Sequence, residues 1–477
     1  MMSKFSKMTR RTWLLAGTLA ALAPLAGCGL TTLDKVDDPN NPSVESASNN
    51  ATQAQLNALA VGVEASLRLG HANNAPNNWL TGVLGREVFV LSTNEPRWYQ
   101  EILGTKGTLD DNAFFSAAAY NGFARVIRAS EVFLSAAQNT SVISAQQKLG
   151  VAGFCHTYEA LAKLHLLDLM GENGIRIDVA NYLKPGPFTA GSAPALAHIR
   201  SLLDQAQMEL TGAGATFAFP LSSGFAGFNT PVNFIKFNRA LAARVALYQN
   251  DNAGALTALS GSFYNAGGSL TVGPKIVFAP TVSGDVSNPY YQVANGTQPS
   301  LLVAAPNWAT EAEPGDLRLA KAPLRTGPAR TASGIASTYE VRVFPSQTSP
   351  LDIIRNEELI LISAEAKAKL ASPDLAGSLA DINVIRTVAG GLPARTASSL
   401  GNNSTAYIDE ILKQRRYSLF YEGHWWVDLR RLGRLTPTPA PGITLLATTG
   451  GIPQGTFKLF DRLQKTFAEK QWDIANP

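Results

Sequence analysis

Near its C-terminus the chain reads IDEILKQRRYSLFYEGHWWVDLRRLG over Ile408 to Gly433, and this stretch carries the most specific structural pattern of the sequence. Helical periodicity over Tyr407 to Tyr421 predicts an arginine-rich helix, and a Glu-Gly turn follows it. The acids and arginines of this stretch would suit either a functional site or a structural one. A structural role is favoured, because acids need partners where two helices pack, and arginine binds a carboxylate through two hydrogen bonds. We therefore predict that Glu422 and Asp428 pair with basic residues of the same stretch, namely Arg415, Arg416, Arg430 or Arg431.

Two earlier segments share this helical character. Lys148 to Ile177 reads KLGVAGFCHTYEALAKLHLLDLMGENGIRI and ends in a glycine-acid turn. Arg355 to Leu392 reads RNEELILISAEAKAKL followed by ASPDLAGSLADINVIRTVAGGL. Taken in order, the three segments resemble the SusD/RagB family of outer-membrane nutrient-binding lipoproteins, including its AEA, N-x-x-R-x-x-A-G and W-x-D-L-x-R elements. We take the following matching residues as a structural signature: Glu358, Glu365, Asn383, Arg386, Arg415, Arg416, Glu422, Trp426 and Asp428.

The resemblance implies a fold, a partner and a non-catalytic role. The fold would be mostly α-helical, with tetratricopeptide-like helix pairs in a SusD-like α-α superhelix that supports a loop-rich ligand-binding face. The partner would be a TonB-dependent, SusC-like transporter of the outer membrane. That transporter would supply the energy for uptake, so this chain needs affinity and no catalytic residue. Three positions depart from the family pattern: Gln414 and Ser418 stand where acids are usual, and Trp425 where a basic residue is usual.

The N-terminus has the layout of a secretory signal peptide. Residues 1–27 carry four basic residues and no acid, and their apolar run is too short to span a bilayer. The run ends in Leu25-Ala26-Gly27-Cys28, which resembles the lipobox of bacterial lipoproteins. We therefore predict that Cys28 receives a diacylglycerol and that this covalent lipid is the attachment to the membrane.

The segment that follows Cys28 is predicted to be a flexible tether. Residues 28–50 are rich in Asp, Asn, Pro and Ser, and such a composition buries too little apolar surface to fold by itself. The acidic residues Asp34, Asp37 and Asp38 resemble a surface-export signal of some lipoproteins. This resemblance favours an outer-membrane protein that faces the exterior.

Composition argues against several other classes of protein. Four of the 40 lysines and arginines lie in residues 1–27, which leaves 36 against 36 acids. No electrostatic footprint for nucleic acid or for an anionic membrane remains. Only Cys155 is left besides Cys28, so a disulfide framework is excluded. The sequence contains neither the paired histidines of a zinc enzyme nor the G-x-S-x-G motif that carries the nucleophilic serine of α/β-hydrolases. We therefore predict no metal, no cofactor and no catalytic group.

Residues 51–477 are predicted to form a single domain in which helices alternate with loops. Apolar residues recur at spacings of three and four over Thr52 to Leu67, Ala113 to Ala137, Gln146 to Met170, Ala195 to Leu210, Asn233 to Gln249, Asp352 to Leu370, Asp374 to Val388 and Tyr407 to Tyr421. Loop-rich excursions are expected at about 70–110, 265–350 and 436–477, with short strands in the second. A short turn of helix is expected near Asp461 to Lys465.

Candidate ligand-binding residues lie in the excursions. Sugars and peptides both favour aromatic faces flanked by amides and acids, since rings stack and polar groups need hydrogen-bond partners. The candidates form three clusters and one isolated residue: Asn78 and Trp79 beside Asn73, Asn74 and Asn77; Arg97, Trp98 and Tyr99; Tyr290 and Tyr291 beside Asn288 and Gln292; and Trp308.

These observations favour a lipoprotein that binds oligosaccharide nutrients and delivers them to a transporter. Three alternatives remain open. A peptide could be the cargo, the helix pairs could serve as a protein-interaction scaffold, or the chain could be a hydrolase. The cargo itself is not specified, because specificity depends on the loops, which resemble the family least.

Overall fold

Helices dominate the computed structural model, which describes residues 50–92, 94–282, 285–298, 300–332, 335–436 and 458–476. All of these residues fall in one compact unit, Ser48–Pro477. The predicted signal peptide (1–27), the lipidation of Cys28 and nearly all of the predicted tether (28–50) lie outside the described residues. They therefore stay predictions.

Each segment with helical periodicity forms a helix, and most ends agree within a few residues. Thr52, where the first helix was predicted to begin, is its cap residue, since its hydroxyl accepts a hydrogen bond from the backbone N–H of Gln55 at 3.3 Å. The helices are α1 (Gln53–His71), α2 (Asn77–Leu84), α3 (Phe114–Gln138), α4 (Ala145–Met170), α5 (Ser192–Thr211), α6 (Pro231–Tyr248), α7 (Asn252–Ser260), α8 (Asn356–Ala368), α9 (Leu375–Val384), α10 (Ser404–Ser418), α11 (Trp425–Arg431) and α12 (Phe467–Ala475).

Neighbouring helices pack against one another through short connections. Contacts join α1 to α3, α3 to α4, α4 to α5, α5 to α6, α6 to α7 and α8 to both α9 and α10. Only residues 139–144 connect α3 to α4, so these two helices form an antiparallel hairpin. The predicted fold class is confirmed: the protein is mostly α-helical, with tetratricopeptide-like helix pairs. Among the described residues, no helix combines the length and the apolar character that a membrane crossing requires.

Short strands join the loop-rich excursions to each other. Strand β1 (Val88–Ser92) pairs antiparallel with β3 (Ser300–Ala304), with Val88 opposite Ala304. Strand β2 (Lys275–Ile276) pairs with β6 (Leu351–Asp352), and β4 (Arg330–Ala332) pairs with β5 (Ile335–Ser337). The expectation of loops and short strands over 265–350 is confirmed. In addition, the β1–β3 ribbon connects that excursion to the one at 70–110.

Two local predictions were wrong. The excursion at 70–110 contains helix α2, whose buried side chains Leu80, Val83 and Leu84 are preceded by asparagines that favour loops. The turn of helix expected near Asp461 to Lys465 is not formed. Its backbone groups bond elsewhere instead, since Leu463 N–H donates to Leu169 O at 2.9 Å. The helix of this segment, α12, begins after the cap residue Thr466.

A chain of buried ion pairs joins α8, α10 and α11. Asp428 accepts from Arg415 at 2.6 Å and from Arg431 at 2.8 Å, as predicted. Arg431 also binds Glu365 of α8, with 2.7 Å between Nη2 and Oε2. Burial alone would raise the pKa of Glu365, but attraction by Arg431, its hydrogen bond and the charge of Arg415 together hold this pKa below its ordinary value. The signature residues Glu365, Arg415 and Asp428 therefore carry charge inside the protein, and Arg431 completes a chain of two acids and two arginines in which the charges balance.

The other signature residues are also paired. Glu422 does not pair with the arginines expected from the sequence: its partner is Arg355 at the start of α8, 67 positions earlier. Arg416 pairs with Glu311, so the prediction for that arginine was wrong too. The remaining contacts all join separate segments: Glu358 with Arg244, Arg386 with Glu313 and Glu410, Asn383 with the backbone of Arg395, and the Trp426 indole with Phe460 O.

Replacing Glu365 with glutamine tests the buried chain of charges. The substitution leaves Arg431 buried with one partner fewer, so we expect a loss of about 3 to 5 kcal/mol in the free energy of unfolding. Asp409→Asn is the matched control. Its pair with Arg434 has a similar 2.7 Å distance, but the two side chains are 35% and 34% exposed. We expect a loss below about 1 kcal/mol for this surface pair. Urea unfolding of both variants measures the difference, and equal losses would contradict the assignment.

Candidate functional site

An aromatic ridge lies where the 70–110 excursion meets the start of α3. We define it by Trp79, Trp98, Tyr99 and Phe114. The Trp79 and Trp98 ring centroids are 6.1 Å apart, and those of Trp98 and Phe114 are also 6.1 Å apart, with interplanar angles of 56° and 74°. These tilted and edge-to-face contacts are favourable for aromatic rings. Trp98 is buried, whereas Trp79, Tyr99 and Phe114 are half-buried and keep part of their surface accessible.

An ion pair borders the ridge. Arg97 binds Glu95 through two hydrogen bonds, of 2.7 Å from Nε and 2.5 Å from Nη2. The guanidinium carbon of Arg97 also lies 4.8 Å from the centroid of the Phe114 ring. Hydrogen bonding to Arg97 lowers the pKa of Glu95, so the carboxylate is ionised at neutral pH. The ridge therefore combines apolar ring faces with a partly exposed donor and acceptor, which is the chemistry that a sugar hydroxyl requires.

The predicted candidates divide into an accessible set and a buried set. Trp79, Arg97, Tyr99 and Tyr291 are half-buried, so part of each can contact a ligand. The other four are at most 5% exposed and lie beneath the surface: Asn78, Trp98, Tyr290 and Trp308. The polar neighbours Asn77, Asn288 and Gln292 are buried as well. Only the first set can therefore contact a ligand through side-chain surface, while the second set belongs to the packed interior.

The buried set brings the predicted clusters together. The Tyr290 hydroxyl accepts from the Asn78 backbone N–H at 3.4 Å, and its ring lies 5.6 Å from that of Tyr421. Trp308 packs on Phe420 with 4.1 Å between ring centroids. Residues from two of the three predicted clusters, together with the isolated Trp308, thus meet where the arginine-rich helix ends in the Glu-Gly turn.

The Glu-Gly turn has a strained backbone that α2 stabilises. Tyr421 has a φ of 65° and Gly423 a φ of 86°, both in the left-handed region. The Asn78 side-chain amide donates to Tyr421 O at 2.9 Å. Asn78, predicted as a ligand contact, therefore has a structural contact that holds this turn against the base of the ridge.

Sequence reasoning missed Phe114 and Glu95. Phe114 lies in the helix predicted over Ala113 to Ala137 and was not among the candidate ligand contacts. Adjacent residues of a helix point about 100° apart, so only one of Phe114 and Phe115 can face the core. Phe115 is fully buried and Phe114 is not. The pair of adjacent aromatics was therefore the signal available in the sequence.

A polar cavity lies under the Glu-Gly turn. Its volume is about 30 Å³, which suits a water molecule and excludes a sugar ring. Titratable side chains from four elements line it, including His71, His165, Asp168 and His424. Burial lowers the pKa of His71 and of His424 to about 4, so both are neutral at pH 7. Within the described ranges, no group of three or more His, Cys, Asp and Glu residues is arranged to hold a metal ion.

The contribution of Asp168 to the stability of the protein is expected to depend on pH. Burial raises its pKa to about 7, while Arg430 and Arg244 oppose the shift. A raised carboxyl pKa contributes stability that is present below the unfolded value near 3.8 and is lost as pH rises to about 7. We expect Asp168→Asn to gain stability relative to the wild type between pH 4 and pH 7.5. The nearby histidines titrate in both proteins, so their contributions to the difference in free energy of unfolding cancel to first order.

Urea unfolding of wild type and Asp168→Asn at the two pH values measures this change. The difference in free energy of unfolding should move in favour of the variant as pH rises. A difference that is independent of pH would show that Asp168 is ionised throughout.

Comparison with known proteins supports the resemblance seen in the sequence. The model of the SusD family matches residues 342–475, which include α8 to α11 and the arginine-rich stretch. No relative among the curated proteins matches the sequence.

Several solved structures share the fold. A SusD superfamily protein from Bacteroides vulgatus ATCC 8482 superposes with a TM-score of 0.65 at 17% identity, covering 89% of this chain and 97% of the other. One from Bacteroides thetaiotaomicron VPI-5482 gives 0.61 at 18% identity, covering 80% and 89%. A laminarin binding SusD-like protein gives 0.59 at 16% identity, covering 89% and 98%. The resemblance to the SusD/RagB family is thereby confirmed, and the protein has the SusD fold.

Proposed function

We propose that this protein, which has the SusD fold and resembles the SusD/RagB family, binds oligosaccharides at the aromatic ridge without catalysis. The ridge carries the proposal: three of its rings are half-buried and keep accessible surface, and the partly exposed Arg97–Glu95 pair lies over one of them, Phe114. Aromatic faces stack on pyranose rings, and the ion pair offers both donors and acceptors to hydroxyl groups. The similarity to a laminarin binding SusD-like protein supports a sugar as the ligand class.

Rigid support makes the ridge suitable for binding. Trp98 packs between Trp79 and Phe114, and strand β1 of the same excursion is buried along its whole length. Rings held in place lose little freedom when a ligand arrives, so more of the contact energy appears as affinity. The site therefore needs no closing motion and no reactive group.

Substitution of the accessible rings tests the ridge. We expect Trp79→Ala and Tyr99→Ala each to weaken the best-binding oligosaccharide by about 1 to 3 kcal/mol, since each removes one stacking surface. Isothermal titration calorimetry on the full-length protein in detergent measures the affinity. Trp98→Ala is not a suitable variant, because truncating this buried ring would destabilise the fold by about 3 to 5 kcal/mol.

Met208→Ala is the control for the ridge variants. Met208 is an exposed apolar residue of α5, and its removal should leave the affinity unchanged. Unchanged affinity in both Trp79→Ala and Tyr99→Ala would exclude the ridge as the site. A peptide panel run in parallel separates the sugar ligand from the peptide alternative.

The proposal extends to the membrane and to a partner. The lipobox-like sequence at Cys28 supports a lipid anchor, and the acidic cluster behind it supports export to the outer surface of the outer membrane. The family resemblance supports delivery of the bound oligosaccharide to a TonB-dependent, SusC-like transporter. In this arrangement the described residues supply affinity, and the transporter supplies the energy for uptake.

The two cysteines of the chain provide a matched test of the anchor. Cys28→Ser should abolish incorporation of labelled palmitate and release the protein from the membrane fraction. Cys155→Ser should change neither, because Cys155 is buried in α4. Labelling that persists in Cys28→Ser, or is lost in Cys155→Ser, would contradict the lipidation of Cys28.

A further inference from the structure

Tyr182 is an exposed aromatic residue outside all the predicted clusters. It is 55% exposed, and its neighbour Leu183 is 69% exposed. The guanidinium carbon of Arg128, in α3, lies 3.8 Å from the centroid of the Tyr182 ring. This cation–π contact orients the ring from one side, and the large exposed fraction leaves room for a second planar group to stack.

The loop that carries Tyr182 is fixed at its base. Gly186 N–H donates to Asp178 O at 2.8 Å, which closes the loop on itself. The buried amine of Lys163 donates to Ile177 O at 2.8 Å, and Arg176 donates to Gly186 O at 2.6 Å. Hydrogen bonds from α4 and from the loop's own backbone therefore hold the loop that presents the ring.

Helix α3 connects this ring to the aromatic ridge. Phe114 of the ridge and Arg128 lie fourteen residues apart on α3. With a rise of about 1.5 Å and a turn of about 100° per residue, they are about 21 Å apart along the axis and within about 40° of the same direction. The residues between them on this face are all half-buried or exposed: Ala117, Ala118, Asn121, Ala124 and Arg125.

We propose that Tyr182, together with Arg128 and Glu131, forms a second sugar-binding subsite, and that an extended oligosaccharide lies along α3 between it and the aromatic ridge. The inference rests on the proposed function and adds a requirement for ligand length. Arg128 lies 3.3 Å from Glu131, so the local charge is balanced and favours a neutral ligand over an anionic one. The alanines allow close approach, while Asn121 and Arg125 offer hydrogen-bond donors to hydroxyl groups.

Calorimetry with oligosaccharides of two lengths tests the second subsite. The probes are disaccharides and hexasaccharides of the laminari-, malto- and xylo- series, titrated into the full-length protein in detergent. For the series that binds the wild type best, Tyr182→Ala should raise the Kd of the hexasaccharide about fivefold or more and change that of the disaccharide less. Tyr182→Trp should retain the hexasaccharide affinity, because it keeps a stacking surface.

Each outcome is decisive. An unchanged hexasaccharide Kd in Tyr182→Ala overturns the second subsite while the proposed function stands. An equal loss for both lengths overturns the spanning geometry along α3. A wild type that binds none of the three series removes the proposed function, and the second subsite falls with it.

Discussion

Buried charge at the junction of α8, α10 and α11 constrains the structure around it. Arg415, Asp428, Arg431 and Glu365 alternate in sign and contact one another almost without solvent. A buried charge without its partner is costly, so the three helices must meet in one arrangement that satisfies all four groups. Because α11 follows the Glu-Gly turn directly, this arrangement also determines where the turn lies.

The turn links the buried charges to the aromatic ridge. Its residue Tyr421 accepts a hydrogen bond from Asn78 of α2 and packs against Tyr290 of the second excursion. The same helix α2 presents Trp79 to the ridge. The excursions at 70–110 and 265–350 are thus packed on the same turn. The positions of their solvent-exposed side chains therefore depend on the position of that turn.

Periodic features were predictable from the sequence, and long-range contacts were not. Leu56 and Val63 recur at helical spacing, so α1 was evident. The short helix α2 was not predicted, because it begins with two asparagines, which favour loops. Glu422 was assigned partners within its own segment, but it pairs with Arg355, which only the packing of α8 brings near. Among the candidate site residues, sequence alone does not distinguish the half-buried Trp79 from the buried Trp308. Both are tryptophans in non-periodic segments, and their exposure depends on neighbours such as Phe420.

A crystal structure of the protein with its tightest-binding oligosaccharide tests the proposed site. We expect sugar rings stacked on Trp79, Tyr99 and Phe114, with hydroxyl groups hydrogen-bonded to the Arg97–Glu95 pair and the Glu-Gly turn unmoved beneath them. Sugar density confined to the surfaces of the helix pairs, away from both excursions, would contradict it.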